Sequence, residues 1–95
     1  MAKALGMIET AGYGAAFAAA DEALKAANVK ILKFEITLGS GGTLGVTAFI
    51  SGEVAAVQAA VEAGRLEAER VNRVISYSVN PNIDMQVNDN ILNVF

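Results

Sequence analysis

The chain has 95 residues, of which 54% are hydrophobic, and a net charge of −3, with no cysteine and no histidine. These absences exclude disulfides, thiolate chemistry, iron–sulfur ligation and most zinc sites, and they remove the usual general base near neutral pH. The acidic balance argues against nucleic-acid binding, which needs a basic patch. We therefore assign no catalytic residue, metal or cofactor. The surplus of apolar residues predicts contacts with other copies of the chain.

The first part of the chain predicts a strand, a helix and a second strand. Residues 4–9 form a short, mostly apolar run, which we interpret as a buried central strand. The alternation of apolar and polar residues over 29–38 predicts the second strand. Between them, the alanine-rich stretch 14–27 predicts a helix. Its apolar stripe is formed by Phe17, Ala20, Leu24 and Ala27.

A glycine-rich turn stands near the middle of the chain, between two alternating runs. Gly39, Ser40, Gly41 and Gly42 separate 29–38 from the next run. That pattern predicts a β-hairpin, because glycine supplies the backbone conformations that a turn needs. After the third strand, over 43–51, a second helix is predicted to start at Gly52 and Glu53. Its inner stripe comprises Val54, Val57, Val61, Gly64, Ala68 and Val71.

The end of the chain predicts one more strand and a tail. Residues 74–79 alternate again, and Pro81 ends the run. We divide the chain into one domain, 1–81, and a C-terminal tail, 82–95. The longest apolar block, 14–20, falls well short of the ~20 residues of a membrane helix, so we expect no membrane span.

The order β-α-β-β-α-β predicts an α+β fold of the ferredoxin-like type. Right-handed crossovers then place both helices on one face of a four-stranded antiparallel sheet. The other face is predicted to be polar enough to meet water. It would show Lys33, Glu35, Thr37, Thr47, Ser76 and Ser78.

Several stretches together resemble one known family. Residues 4–10 look like the opening of the bacterial microcompartment shell proteins, the BMC domain family, and the likeness continues to Pro81. Gly39-Ser40-Gly41 resembles the pore turn of that family. The two helices contribute the remaining motifs, which are Ala20-Asp21, Lys25-Ala26-Ala27-Asn28-Val29, Gly52-Glu53-Val54-Ala55-Ala56-Val57 and Ala60-Val61-Glu62-Ala63-Gly64.

The resemblance implies a structural protein without enzymatic activity, located in a microcompartment shell in the bacterial cytoplasm. It implies a cyclic homo-oligomer, typically a hexamer, that tiles with other shell proteins around encapsulated enzymes. The contacts between oligomers would involve Lys25 and Asn28. A central pore for small polar metabolites would be lined by Gly39, Ser40, Gly41 and Gly42. The arginine usually found near the proline of Asn80-Pro81-Asn82 is absent here.

Two other function classes fit a ferredoxin-like fold. The first, a regulatory domain that senses a small molecule, remains an alternative. Such a domain would be a small oligomer that binds one ligand. An RNA-binding module fails, because Met7, Ile8 and Thr47 stand where stacking aromatic residues would be needed. A catalytic pair of Glu9 and Glu35 has no support, since nothing in the sequence brings them together.

Plainer interpretations compete with the two assigned sites as well. The glycine-rich turn also fits an ordinary hairpin loop. Lys25 also fits a solvated partner of Asp21 on the face of a helix.

Overall fold

The computed structural model describes residues 3–39 and 42–81, and its elements follow the predicted order. The predicted tail, 82–95, and the tip of the predicted turn, Ser40-Gly41, lie outside the described residues. The helices are α1 (Tyr13–Ala26) and α2 (Val54–Glu69). The strands are β1 (Lys3–Ala11), β2 (Lys30–Leu38), β3 (Leu44–Glu53) and β4 (Val74–Asn80).

The four strands form one antiparallel sheet in the order β2-β3-β1-β4. β1 pairs with β3 along its whole length and with β4 on its other side. The prediction that the first strand is central is therefore confirmed, and β2 and β4 are the two edge strands. Both helices pack on the face that carries Ile8 and Ile50, as the ferredoxin-like arrangement requires.

The core lies between this face and the two helices. Ile8, Val46, Ile50 and Val57 are fully buried there. The predicted inner stripe of α2 is confirmed at its four central positions, whereas Val71 follows the helix and is 53% exposed. The buried residues of α2 are Val57, Ala60, Val61, Gly64 and Ala68.

The two helices approach each other very closely at Gly64. A Cβ atom there would lie 2.8 Å from the carbonyl oxygen of Ala19 and 2.8 Å from Cδ1 of Ile8. Such distances are shorter than real carbon contacts, so only glycine permits this spacing. The helix–helix contact therefore has room for methyl groups and little more.

This spacing overturns the apolar stripe predicted for α1. Phe17 and Leu24 are 52% and 51% exposed, and of the predicted stripe only Ala20 is buried. Large side chains do not fit between closely packed helices, so they lie at the outer edge of the helix, and alanines form its inner side. The buried residues of α1 are Ala15, Ala16, Ala19, Ala20 and Ala23.

The second face of the sheet, which we call the open face, is polar only in part. The predicted polar residues lie on it, and Lys33 forms a 3.0 Å ion pair with Glu35. Leu5 and Phe49 also lie on this face and are only 7% and 8% exposed. The Lys33 ammonium is 5.7 Å from the centroid of the Phe49 ring, so the lysine side chain covers an apolar residue of the face.

Candidate functional site

The described ends of the glycine-rich turn are held by backbone hydrogen bonds. The amide of Gly39 donates to the carbonyl of Thr43 at 2.7 Å, and the amide of Gly42 donates to the carbonyl of Gly39 at 3.2 Å. Gly42 has φ of 79°, a conformation that residues with a Cβ atom rarely adopt. The hairpin prediction is confirmed. The pore assignment, whose central residues Ser40 and Gly41 lie outside the described residues, stays a prediction.

Lys25 lies in the last turn of α1, on its exposed side. Its ammonium is 3.1 Å from Oδ2 of Asp21, one helical turn earlier. The hydrogen bond with Asp21, together with the nearby negative charges, raises the pKa of Lys25 above its ordinary value of 10.5. Asn28 follows the end of the helix and is exposed. Both residues are therefore accessible to a neighbouring molecule, and their role between oligomers stays a prediction.

One edge of the molecule carries several exposed large apolar side chains. We call it the α1–β2 edge. Phe17 of α1 and Phe34 of β2 meet in a T-shaped contact, with ring centroids 5.0 Å apart, and Tyr13 lies 5.9 Å from Phe17. Their exposure ranges from 36% to 74%, which is unusual for a helix and a strand of one small domain. The edge comprises Tyr13, Phe17, Leu24, Phe34, Ile36 and Leu38.

A second exposed surface lies at the opposite edge of the sheet, along edge strand β4. We call it the α2–β4 edge and define it by Arg65 and Tyr77. The Arg65 guanidinium lies 4.8 Å from the centroid of the Tyr77 ring, which is 50% exposed. Arg65 also forms ion pairs with Glu62 at 2.9 Å and with Glu69 at 3.3 Å. The hydrogen bond to Glu62 is the main cause that raises the pKa of Arg65.

A small cavity opens on the open face, at the end of the sheet that carries the hairpin. Its volume is about 200 Å³. Oε1 of Glu9, one of its lining residues, accepts a 3.2 Å hydrogen bond from the hydroxyl of Ser76. The sequence reasoning did not single out Arg73, which also lines this cavity. The lining residues are Glu9, Thr37, Gly39, Thr43, Gly45, Arg73 and Ile75.

The position of Ile75 in this cavity depends on an irregularity in the pairing of β1 with β4. Glu9 pairs with Ser76, whereas the next residue, Thr10, pairs with Val74. One residue of β4 is thus left over, as in a β-bulge, and the alternation of side chains is shifted at that point. Val74 packs on the core, while Ile75 turns to the open face. The alternation over 74–79 predicted the opposite face for Ile75, because a bulge leaves no mark in the apolar pattern.

The structure brings no catalytic constellation together in its described part. Glu9 and Glu35 both pair with Thr47, from opposite sides. They are therefore two strand spacings apart, about 10 Å, and do not form a close carboxylate pair. Within residues 3–39 and 42–81, no three potential metal-binding side chains lie together. None of the described helices is long and apolar enough to cross a membrane.

The order of the elements and the topology of the sheet define a small α+β domain of the ferredoxin-like type. The comparison with protein families identifies it further, because the BMC domain model matches residues 4–83. The chain belongs to the BMC domain family.

Relatives with high identity are named as microcompartment components. The chain is 44% identical over 79 residues to the bacterial microcompartment shell protein PduA of Citrobacter freundii, covering 83% of this chain and 81% of that protein. It is 47% identical over 72 residues to the carboxysome shell protein CcmK2 of Synechocystis sp., covering 76% of this chain and 66% of that protein. The carboxysome assembly protein CcmO of Synechococcus elongatus is 46% identical over 78 residues.

The chain spans only part of some of these proteins. The match to CcmO covers 82% of this chain but 27% of CcmO. A solved structure of a microcompartment protein from Desulfitobacterium hafniense DCB superposes with a TM-score of 0.74 and 32% identity, covering 90% of this chain and 44% of the other. These relationships do not favour the regulatory-domain alternative.

Proposed function

We propose that this chain is a structural, non-enzymatic component of a bacterial microcompartment shell, located in the cytoplasm. Membership of the BMC domain family and the names of the relatives support this role. The chain would assemble into cyclic homo-oligomers that tile with other shell proteins around encapsulated enzymes. Six subunits per ring is the number that we propose.

The observation that carries the proposal is the placement of the two apolar edges. Phe17 and Phe34 lie at the β2 side of the sheet, and Tyr77 lies at the β4 side. The two surfaces differ in composition, since one is aromatic and aliphatic and the other combines Tyr77 with Arg65. A subunit with two different surfaces on opposite sides joins its neighbours head to tail, and such contacts close into a ring when the rotation permits.

In such a ring the hairpin between β2 and β3 would line the central opening. The lining residues would be Gly39, Ser40, Gly41 and Gly42. The hydroxyl of Ser40 is a hydrogen-bond donor without charge or bulk, and a ring of such hydroxyl groups suits polar or anionic metabolites. Lys25 and Asn28, exposed at the end of α1, would contact neighbouring rings.

The head-to-tail arrangement can be tested with two variants that each damage one edge. Phe17→Asp places a charge on the α1–β2 edge, and Tyr77→Asp places one on the α2–β4 edge. Neither variant alone should form rings, because every contact uses both edges. An equimolar mixture should form heterodimers, because the intact α2–β4 edge of the first variant can bind the intact α1–β2 edge of the second.

Sedimentation velocity would measure these species, with circular dichroism to verify that each variant is folded. Leu66→Asp is the matched control, because Leu66 is 49% exposed and belongs to neither edge. This variant should form rings like the unmodified chain. A mixture that remained monomeric, or a Phe17→Asp variant that still formed rings, would contradict the proposal.

A further inference from the structure

We infer that the cavity between Glu9 and Arg73 binds a small zwitterion, whose ammonium group meets Glu9 and whose carboxylate meets Arg73. This inference goes beyond the proposed function, because residues of a single chain are sufficient to line the cavity. The site would bind its ligand whether or not the neighbouring hairpin lines a pore.

Two opposite charges, Glu9 and Arg73, line one cavity without neutralising each other. Among the described residues, Glu9 and Arg73 form no ion pair with each other or with any other side chain. Glu9 is half-buried, and the hydroxyl of Ser76 is the one hydrogen-bond donor that its carboxylate has within residues 3–39 and 42–81. A partly buried carboxylate with a single neutral donor is poorly compensated, so a cationic group beside it is favourable.

The backbone keeps both charged residues in position. The amide of Ala11 donates to the carbonyl of Arg73 at 2.9 Å. The amide of Arg73 donates to Oδ1 of Asn72 at 2.8 Å, so both backbone polar groups of Arg73 are held by hydrogen bonds. Glu9 lies in the central strand and is paired on both sides, with Thr47 and with Ser76. The walls of the cavity are thus formed before any ligand binds.

Gly45 leaves space in front of the Glu9 carboxylate. A Cβ atom at Gly45 would lie 2.8 Å from Oε2 of Glu9 and 3.3 Å from the carbonyl of Thr37. Glycine at this position of β3 leaves Oε2 open toward the cavity. Gly45 has an ordinary strand conformation, so its role here is the space that it leaves and not its backbone freedom.

The size and the remaining lining define the class of ligand. A cavity of about 200 Å³ offers the volume of roughly six to seven water molecules, at ~30 Å³ for each. This volume accommodates an amino acid of the smallest kind and is too small to enclose a nucleotide or a sugar phosphate. The side chains of Thr37 and Thr43 add hydroxyl groups, and Ile75 adds an apolar wall. A small α-amino acid matches these features.

The test uses saturation-transfer NMR on the purified 95-residue chain with three probes. Glycine carries both charges, acetate carries only the carboxylate, and methylammonium carries only the ammonium group. Because acetate and methylammonium are smaller than glycine, steric exclusion cannot explain weaker binding. Glycine should bind saturably and at least about tenfold more tightly than either, since each charge-assisted hydrogen bond contributes about that factor or more.

The variants Glu9→Gln and Arg73→Gln should each weaken glycine binding by roughly tenfold or more. Arg70→Gln is the matched control, because Arg70 pairs with Glu67 and does not line the cavity, and it should bind glycine like the unmodified chain. Gly45→Ala, which obstructs Oε2 of Glu9, should also weaken binding. Equal binding of acetate and glycine, absence of glycine binding, or unchanged binding by both charge variants would overturn the inference.

Sedimentation of the same samples keeps this inference separate from the proposed function. Rings that form but do not bind glycine would contradict only the zwitterion site. Glycine binding by a chain that stays monomeric would contradict only the ring assembly.

Discussion

Phe17 and Phe34 meet edge to face, with ring centroids 5.0 Å apart and planes at 87°, yet they are 52% and 36% exposed. The pair joins helix α1 to the edge strand β2, and it has no cover on its outer side within the described part of the chain. Exposed aromatic clusters of this kind mark surfaces where proteins bind each other. The pair is therefore the centre of the α1–β2 edge that we assign to subunit contacts.

Phe17→Ala should weaken the ring much more than it weakens the fold. Half of the side chain is exposed in the isolated subunit, whereas in the ring it would be buried against a neighbour. Interface aromatics contribute about 2 kcal/mol or more, so the midpoint of ring dissociation should rise by roughly tenfold or more in concentration. Analytical ultracentrifugation across a dilution series measures it. Leu66→Ala, similarly exposed but outside both edges, should leave the midpoint unchanged.

Gly64→Ala should destabilise the fold. The added methyl group would lie 2.8 Å from the carbonyl oxygen of Ala19, a backbone atom that cannot move without shifting α1. Overpacking costs about 1–3 kcal/mol, and the better helix propensity of alanine offsets at most about 1 kcal/mol of this. Thermal unfolding should show a lower midpoint. In contrast, Gly14→Ala, where the nearest atom is Cγ1 of Val71 at 3.6 Å, should be neutral or slightly stabilising.

Lys25→Ala should abolish the tiling of rings into sheets and leave the rings intact, because Lys25 is exposed and belongs to neither edge. Asp21→Asn removes the ion-pair partner but keeps the lysine, so it should still form sheets. Electron microscopy of concentrated samples distinguishes sheets from separate rings. Sheets formed by Lys25→Ala as readily as by the unmodified chain would show that Lys25 has no role between rings.

The charge of Lys25 also predicts how tiling depends on pH. Its pKa is raised above 10.5 by the hydrogen bond with Asp21. Because Asp21 belongs to the same subunit, the raised pKa already applies before tiling, and Lys25 loses its charge only as the pH rises through that raised value. The lysine contribution to tiling should therefore be constant between pH 7 and about 10, and it should fall only at higher pH. Turbidity measured along a pH series would record this.

Ser40→Leu should slow the entry of a small polar substrate into assembled shells without preventing assembly. A ring of leucine side chains would narrow the proposed opening and remove the hydroxyl donors. The rate of a reporter enzyme enclosed in the shells provides the measurement. Gln58→Leu, at an exposed position on α2 that belongs to neither edge, is the control and should leave the rate unchanged. Equal rates in both variants, with shells intact, would contradict the pore assignment.

The order of elements could be predicted from the sequence because each element has its own period. Alternation marks β2 and β3, and the alanine-rich stretch marks α1. The prediction that the large apolar residues of α1 face the core was wrong. Periodicity shows which large residues share a side of a helix, but not what covers that side. Phe17 and Leu24 do share one side, and it faces away from the core.

The cavity could not be predicted, because its charged residues are distant in the chain. Glu9 and Arg73 come together only through the register of β1 with β4 and through the bulge beside Ile75. Register and bulges depend on packing between strands, which an apolar pattern specifies poorly. The one local signal was Gly45, a glycine inside a strand, since such a glycine often marks a place where another group approaches closely.

The mass and symmetry of the purified chain in solution test the central claim most directly. Multi-angle light scattering combined with negative-stain microscopy would measure both in one sample. Our account predicts closed rings with a mass six times that of the 9.8 kDa chain. A stable monomer at micromolar concentration, or a two-fold symmetric dimer, would contradict it.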